Sequence, residues 1–146
     1  MATPTNLPTS FTAGDILTAA NMNLIRGGFR ILQVVSASTA VAATNNTNTM
    51  ADTGLSVAIT PQFNTSKILV IVSQTFGKTN GNASNAIQAQ IVRGSTSILY
   101  FQGAALYTGT ALDFVGPSSS AVILDSPATT SSTTYKTQFC NFTNAA

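Results

Sequence analysis

The stretch AIQAQIVRGSTSILYF, residues 86–101, predicts a β-hairpin. Every second residue from Ile87 to Ile91 is apolar, which is the pattern of a half-buried strand. Gly94 and Ser95 interrupt this pattern, and a second apolar run follows them. A two-residue loop that begins with glycine favours a tight hairpin turn. The sequence therefore predicts two antiparallel strands joined at Gly94.

Further strands are predicted on both sides of this hairpin. The segment KILVIVSQTF, residues 67–76, is apolar on both faces and therefore predicts a central strand. The segment TNTMADTGLSVAIT, residues 47–60, predicts a turn at 52–54 followed by a strand that alternates from Leu55. Alternating or apolar runs predict four more strands, at residues 29–36, 111–116, 120–126 and 133–142. In the last of these, one face is predicted to carry Tyr135, Thr137 and Phe139, and the other Lys136, Gln138 and Cys140.

About eight strands at intervals of roughly 8–12 residues, separated by Gly, Pro, Asn and Ser, are typical of a β-sandwich. We therefore expect an all-β fold, a jelly-roll-like antiparallel β-sandwich over residues 29–146. A sandwich has free strand edges, and Lys67 and Lys136 are too few charges to protect them all. We expect association with other copies, as a homotrimer, to cover these edges.

Residues 1–28 predict a separate N-terminal docking arm. Residues 1–11 contain two prolines and read as an extended tail, whereas TAGDILTAANMNLIRGG, residues 12–28, predicts a short helix that Thr18 caps. Two turns of helix are unstable alone in water, so this helix packs either on its own sandwich or on another protein. The residues expected to dock are Phe11, Asp15, Ile16, Leu17, Leu24 and Ile25.

The composition points to a surface that other proteins cover. Thr, Ser and Asn number 23, 15 and 12, while charged residues are only 7% of the chain, against about 25% in ordinary domains. The six basic residues are scattered, so a nucleic-acid interface is not expected. No apolar run is long enough for a membrane span, and the N-terminus shows no secretion signal.

The sequence offers little material for catalysis or metal binding. It contains no His and no Glu, so a Ser or Cys nucleophile has no usual base. Asp113 and Asp125 are the candidates for a carboxylate pair, but Asp125 precedes Ser-Pro and reads as a turn former. The single cysteine, Cys140, reads as a small buried apolar residue. We expect no catalytic residue, no bound metal and no cofactor.

Two segments that contain glycine together with Asn or Thr, residues 77–85 and 102–110, predict loops suited to recognition. The residues proposed for contact with a host surface glycan or protein are Lys78, Asn80, Asn82 and Tyr107. Five aromatic residues offer a sugar-binding platform if they are exposed, although packing inside the sandwich or in a trimer seam is favoured. They are Phe76, Tyr100, Phe101, Tyr107 and Phe114.

Two sets of segments resemble proteins of tailed bacteriophages. FTAGDILTAANMN, residues 11–23, resembles a short F-x-x-G-D-x-L-T-A-A-x-x-N segment near the start of many virion proteins, fibres especially. Four other segments resemble a β-sandwich family that is widespread in phages of aquatic bacteria. Members of that family are usually described as tail-fibre-like or structural proteins. The four segments are ILQVVSAST (31–39), ADTGLSVAITPQFNTSKILVIVS (51–73), IVRGSTSIL (91–99) and LDSPATTSSTTYKTQF (124–139).

The resemblance implies a non-enzymatic virion structural protein whose partners are copies of itself and other virion proteins. A capsid decoration (cement) protein on the head, bound to the major capsid protein, is favoured because no stalk separates arm and sandwich. The alternative is a short tail fibre or tail-tip receptor-binding protein anchored to tail proteins by its N-terminal segment. In that family, one or two further strands commonly follow the segment matching TYKTQF, whereas this sequence stops at Ala146. We therefore expect either a complete sandwich with fewer strands or an edge that a neighbour fills.

Overall fold

The computed structural model describes residues 31–78, 84–110 and 114–143. The described strands all belong to the unit Val35–Ala146. The described part of the chain contains six strands and no helix. They are β1 (Ala51–Ile59), β2 (Ile68–Lys78), β3 (Asn85–Arg93), β4 (Thr96–Thr108), β5 (Phe114–Asp125) and β6 (Thr133–Thr143).

The six strands form two antiparallel sheets by a nested pairing. β3 pairs with β4, β2 pairs with β5, and β1 pairs with β6, so each pair encloses the one before it in sequence. A further pairing between β3 and β6 completes a four-stranded sheet with the order β1-β6-β3-β4. β2 and β5 form a separate two-stranded sheet. The all-β, antiparallel class that the sequence predicts is confirmed.

The core lies where the two sheets face each other. Phe76 of β2 is buried against Ile87 and Ala89 of β3. Its ring centroid lies 6.0 Å from that of Phe101 on β4 and 6.2 Å from that of Phe139 on β6, within the usual range for aromatic pairs. Contacts between side chains of different sheets give the molecule a sandwich-like core.

The central hairpin is confirmed at its turn. β3 ends at Arg93 and β4 begins at Thr96, so Gly94 and Ser95 form the loop. Gly94 has a φ of +59°, a backbone conformation that glycine adopts without steric cost. Its N–H also donates a 2.8 Å hydrogen bond to the carbonyl oxygen of Thr134, which ties the turn to the start of β6.

Two predictions in the N-terminal half are wrong. Residues 31–36 carry no strand, although their apolar alternation predicts one over 29–36. The predicted turn at 52–54 lies inside β1, where the register with β6 shifts between Asp52 and Ser56. Gly54 absorbs this irregularity with a φ of +87°, so the glycine marks a bulge within a continuing strand.

Two predictions in the C-terminal half are wrong as well. The predicted strands 111–116 and 120–126 form one strand, β5, over their described residues. Its register with β2 shifts between Thr75 and Gly77, which accommodates Gly116 and Pro117 in a bulge. The predicted loop 102–110 is strand as far as Thr108, because β4 continues past Phe101 to pair with β3.

The face prediction for the last strand is confirmed. Tyr135, Thr137 and Phe139 of β6 point towards the two-stranded sheet, where Thr137 donates a 2.9 Å hydrogen bond to Gln74 Oε1 of β2. The predicted helix and the division into an arm (1–28) and a sandwich (29–146) stay predictions, since residues 1–30 lie outside the described residues.

Candidate assembly interface

The outer face of the β2–β5 sheet is the most exposed apolar surface on the described strands. Alternate residues of β2 and β5 point away from the core and meet in register, Leu69 opposite Leu124 and Ile71 opposite Val122. Their exposed fractions are 58%, 61%, 70% and 62%, respectively. We call these four residues the aliphatic face. A cluster of exposed aliphatic side chains in register marks a contact surface more strongly than scattered ones do.

Hydroxyl side chains continue this face along the same two strands. Thr75 and Ser118 are hydrogen-bonded at 2.9 Å, and Ser120 donates to Ser73 at 3.3 Å. No charged residue occurs between positions 69 and 75 or between 118 and 124. The outer surface of this sheet is therefore neutral, half aliphatic and half hydroxylic.

The position of β2 in its sheet differs from the position that its sequence predicts. A strand that is apolar on both faces predicts a central position, but in the described chain β2 pairs with β5 alone. Val70, Val72 and Phe76 supply its core-facing side, and Leu69 and Ile71 supply the exposed side. The prediction of a central strand is wrong within one chain. A hydrophobic edge strand with both faces apolar is a surface that natural proteins usually cover.

The opposite outer face of the molecule has different chemistry. On the four-stranded sheet, Lys136 Nζ lies 2.9 Å from Asp52 Oδ2, and Gln138 Nε2 donates to Asp52 Oδ1 at 2.7 Å. Gln90 Nε2 extends this chain by a 2.9 Å bond to Gln138 Oε1. The hydrogen bonds from Lys136 and then Gln138 hold the pKa of Asp52 below its usual value. This polar network runs from the exposed Asp52 to the buried Gln90, and its chemistry differs from that of the aliphatic face.

A charged cluster links the two sheets at one end of the core. Arg93 Nη1 of β3 lies 2.8 Å from both carboxylate oxygens of Asp125 on β5, and the Tyr135 hydroxyl of β6 donates to Asp125 Oδ2 at 2.6 Å. Burial favours a higher pKa for Asp125, but the hydrogen bonds from Tyr135 and Arg93 outweigh it and lower the pKa. Burial and then the Asp125 carboxylate raise the pKa of Tyr135. The cluster therefore joins β3, β5 and β6.

The sequence predicts that Asp125 forms a turn, and it does not predict that the carboxylate joins three strands. Asp125 is the last residue of β5 and its side chain is only 11% exposed. The Asp-Ser-Pro sequence does precede the turn at residues 127–132, so the local signal was correct. The partners of the carboxylate lie 32 and 10 residues away in the chain, and no local pattern reports them.

A shallow groove lies between the inner sides of β1 and β2. Its volume is about 170 Å³, and its apolar lining includes Leu55, Val57, Val70, Val72 and Ile91, with Val35 at its border. Small-molecule sites usually have volumes of about 300–1,000 Å³ and several convergent polar groups. The groove is smaller than this range, and its polar lining comprises Ser36, Ser56, Tyr135, Lys136 and Thr137.

The two described residues of the predicted recognition set, Lys78 and Tyr107, lie on strands and not on loops. Lys78 is buried at the end of β2, where its Nζ donates to Thr108 Oγ1. Tyr107 lies on β4 with half of its side chain exposed, as does Tyr100. Asn80 and Asn82 lie outside the described residues. The docking residues Phe11, Asp15, Ile16, Leu17, Leu24 and Ile25 lie outside them too.

Of the remaining candidates for chemistry, Asp113 lies outside the described residues. Cys140 is buried, as the sequence predicts, and burial raises the pKa of its thiol. Among residues 31–78, 84–110 and 114–143, no three His, Cys, Asp or Glu side chains are grouped to hold a metal ion. No helix in that part of the chain is long and apolar enough to cross a membrane.

Comparison with known proteins finds no counterpart: no family model, curated protein or solved structure matches this chain.

Proposed function

We propose that this chain is a non-enzymatic virion structural protein of a tailed bacteriophage, a capsid decoration (cement) protein that stabilises the head as a homotrimer. The observation that carries the proposal is the aliphatic face, an exposed and uncharged surface in a chain with few charges elsewhere. Such a surface fits a protein that functions while covered by copies of itself and by other virion proteins. The resemblance of residues 11–23 and 51–73 to phage proteins supports the same assignment.

We further propose that the fold is a jelly roll reduced to three nested strand pairs. A jelly roll arises when a long antiparallel hairpin folds over so that its successive pairs lie in two facing sheets. The pairs β1–β6, β2–β5 and β3–β4 follow that arrangement, and the β3–β6 pairing closes the larger sheet. Jelly rolls are common in viral capsids, which supports a virion role by fold analogy.

Gold-labelled antibody against this chain, viewed on intact particles by electron microscopy, tests the proposed function. Label spread over the heads is the expected result, since a decoration protein is present in many copies on the capsid surface. Antibody pre-absorbed with the purified chain serves as the control. Particles that carry no label above this control contradict a virion role altogether.

A short tail fibre or tail-tip protein that binds a host glycan or protein is the second candidate. The exposed side chains of Tyr100 and Tyr107 on β4 favour it, because half-exposed aromatic rings suit contact with a sugar or protein surface. β4 is also an edge strand of its sheet. Label confined to the tail in the same experiment supports this candidate over the decoration protein.

A further inference from the structure

We infer that residues 31–36 of one copy, which we call the donor segment, add as an edge strand to β2 of a second copy. The donor segment predicts a strand but carries none. β2 suits a central strand but has a single strand neighbour, β5, in the described part of the chain. The inference rests on the homotrimer of the proposed function and assigns the contact between its copies to one segment and one strand edge.

The donor segment is exposed and takes part in no ladder. Ile31 and Val34 are 76% and 80% exposed, and Leu32 is 39% exposed. None of the pairings of the six strands includes these residues. Unpaired backbone N–H and C=O groups beside aliphatic side chains are a template for pairing with another chain. The donor segment therefore has both the backbone groups and the side chains that strand addition requires.

The charges that flank the two sequences set the direction of pairing. The stretches ILQVV (31–35) and ILVIV (68–72) are each five residues long, follow a cation and end before a serine. The cation is Arg30 in the first and Lys67 in the second. Parallel pairing brings the two cations together, and like charges opposite each other destabilise a strand pair. Antiparallel pairing separates them and sets each cation beside the serine of the other stretch.

In this antiparallel register the two strands match on both faces. Leu32 lies opposite Ile71 and Val34 lies opposite Leu69, so the donor segment extends the aliphatic face of the second copy. The residues that alternate with Leu32 and Val34 face the groove between β1 and β2, where apolar and polar side chains both line the surface. The stretch 68–72 is aliphatic on both faces, and the donor segment carries aliphatic side chains on both faces too.

A second copy is the occupant that this match selects, because the donor segment and the edge of β2 belong to one sequence and every copy carries both. Exchange of an identical element between copies is a low-cost route to an oligomer. Each copy gives one segment and receives one, so a head-to-tail ring of three leaves no donor segment unpaired. The five-residue pairing runs for about 17 Å and adds backbone hydrogen bonds to the side-chain contacts. The association therefore does not depend on the aliphatic face alone.

Cysteine pairing between two differently substituted chains tests the inference. Full-length Val34→Cys and Leu69→Cys chains, co-expressed and oxidised, should form a disulfide between chains, because residues 34 and 69 lie opposite each other in the register. Val41→Cys with Leu69→Cys is the matched control and should form none, since Val41 is also 80% exposed but lies outside the donor segment. Mass spectrometry of the linked peptides identifies the cysteines that have paired.

A charge within the donor segment tests the same contact through the oligomeric state. Light scattering during size-exclusion chromatography should give a trimer for the unsubstituted chain and for Val41→Asp, and a monomer for Val34→Asp. The circular dichroism spectrum of Val34→Asp should be unchanged, because Val34 lies outside the strands of its own chain.

Three results overturn the inference while the trimer stands. They are a trimer without the disulfide between positions 34 and 69, a Val34→Asp chain that stays trimeric, and a disulfide that closes within one chain carrying both cysteines. A monomeric unsubstituted chain overturns the trimer together with the inference. Antibody labelling of particles tests the virion role separately, so its failure is distinguishable from a failure of strand addition.

Discussion

Asp125 shows how much one side chain contributes to the stability of the fold when it lies on one strand and bonds to residues of two others. Its carboxylate accepts hydrogen bonds from Arg93 and Tyr135, and its side chain is 11% exposed. Asp52 also forms an ion pair, with Lys136, but its side chain is 53% exposed. Hydrogen bonds to charged groups stabilise a fold more when water competes less for them. The two aspartates therefore form a matched comparison.

We expect Asp125→Asn to lower the free energy of unfolding by about 2 kcal/mol, because the buried cluster loses its charge-assisted bonds. Asp52→Asn should lower it by less than about 0.5 kcal/mol, since exposed ion pairs contribute little. Urea titration of both variants measures the difference. Equal effects of the two substitutions contradict a structural role for the cluster.

The lowered pKa of Asp125 also predicts a pH dependence. A carboxyl group with a lower pKa in the folded than in the unfolded chain binds its proton more readily when unfolded, so it stabilises the fold above its unfolded pKa. That stabilisation is lost as the pH falls from the ordinary aspartate range through the lowered folded value. Between neutral pH and about pH 2, the unfolding free energy of the original chain should fall more than that of Asp125→Asn. Parallel curves for the two proteins contradict this.

The β3–β4 hairpin shows which elements a local signal determines. Gly94 takes a left-handed conformation, and no atom lies within 4 Å of a Cβ built there. Only the backbone conformation therefore opposes a side chain at this position. A different restraint acts on Gly116 of β5, where a Cβ would lie 2.6 Å from Leu106 Cδ2. Gly94 is therefore favoured by its backbone conformation, and Gly116 is favoured because a larger side chain has no space there.

We expect Gly94→Ala to lower the free energy of unfolding by about 1 kcal/mol, since a non-glycine residue is strained at positive φ. Gly103→Ala is the matched control, because Gly103 lies on the adjoining strand, has open space around it and needs no positive φ. Its effect should stay within about 0.5 kcal/mol. Thermal or urea unfolding distinguishes the two, and an unchanged Gly94→Ala protein contradicts the strain argument.

At the scale of the element, the alternation of apolar residues predicts well where most strands lie. It predicts poorly where each strand begins and ends. β2 and β6 follow their apolar patterns, because each has one side facing the core, whereas β3 alternates in sequence but is buried on both sides. The segment 31–36 has the same type of pattern but carries no strand. A strand needs a neighbour to bond with, and the pattern of one segment does not say whether a neighbour is available. The same limit explains why the two predicted strands 111–116 and 120–126 are one strand, with a bulge at Gly116 and Pro117.

The whole molecule, in the proposed function, joins a sandwich to an arm that docks on the virion. The predicted arm helix has an apolar face too short to be stable alone. We expect the double substitution Ile16→Asp with Leu17→Asp to abolish incorporation into particles while the strands keep their circular dichroism spectrum. Quantitative blotting of purified particles measures incorporation.

The control for the arm adds the same charge at polar positions of the segment. Thr18→Asp with Asn23→Asp should leave incorporation unchanged, because aspartate also caps a helix at position 18 and Asn23 lies on the side of the predicted helix away from Leu24 and Ile25. If the Ile16 and Leu17 substitutions instead unfold the sandwich, the segment belongs to the core of its own chain and the docking proposal is wrong.

The sequence alone determined the fold class, the central turn at Gly94, the inward side of β6 and the burial of Cys140, because each depends on residues close together in the chain. Tertiary structure alone decided that β2 is an edge strand, that Lys78 is buried and that Asp125 joins Arg93 and Tyr135. Periodicity reports which side of a strand is apolar but not what covers it. The aliphatic face is the clearest case: the sequence shows Leu69 and Ile71 as apolar, and only strand pairing shows that they meet Leu124 and Val122 at the surface.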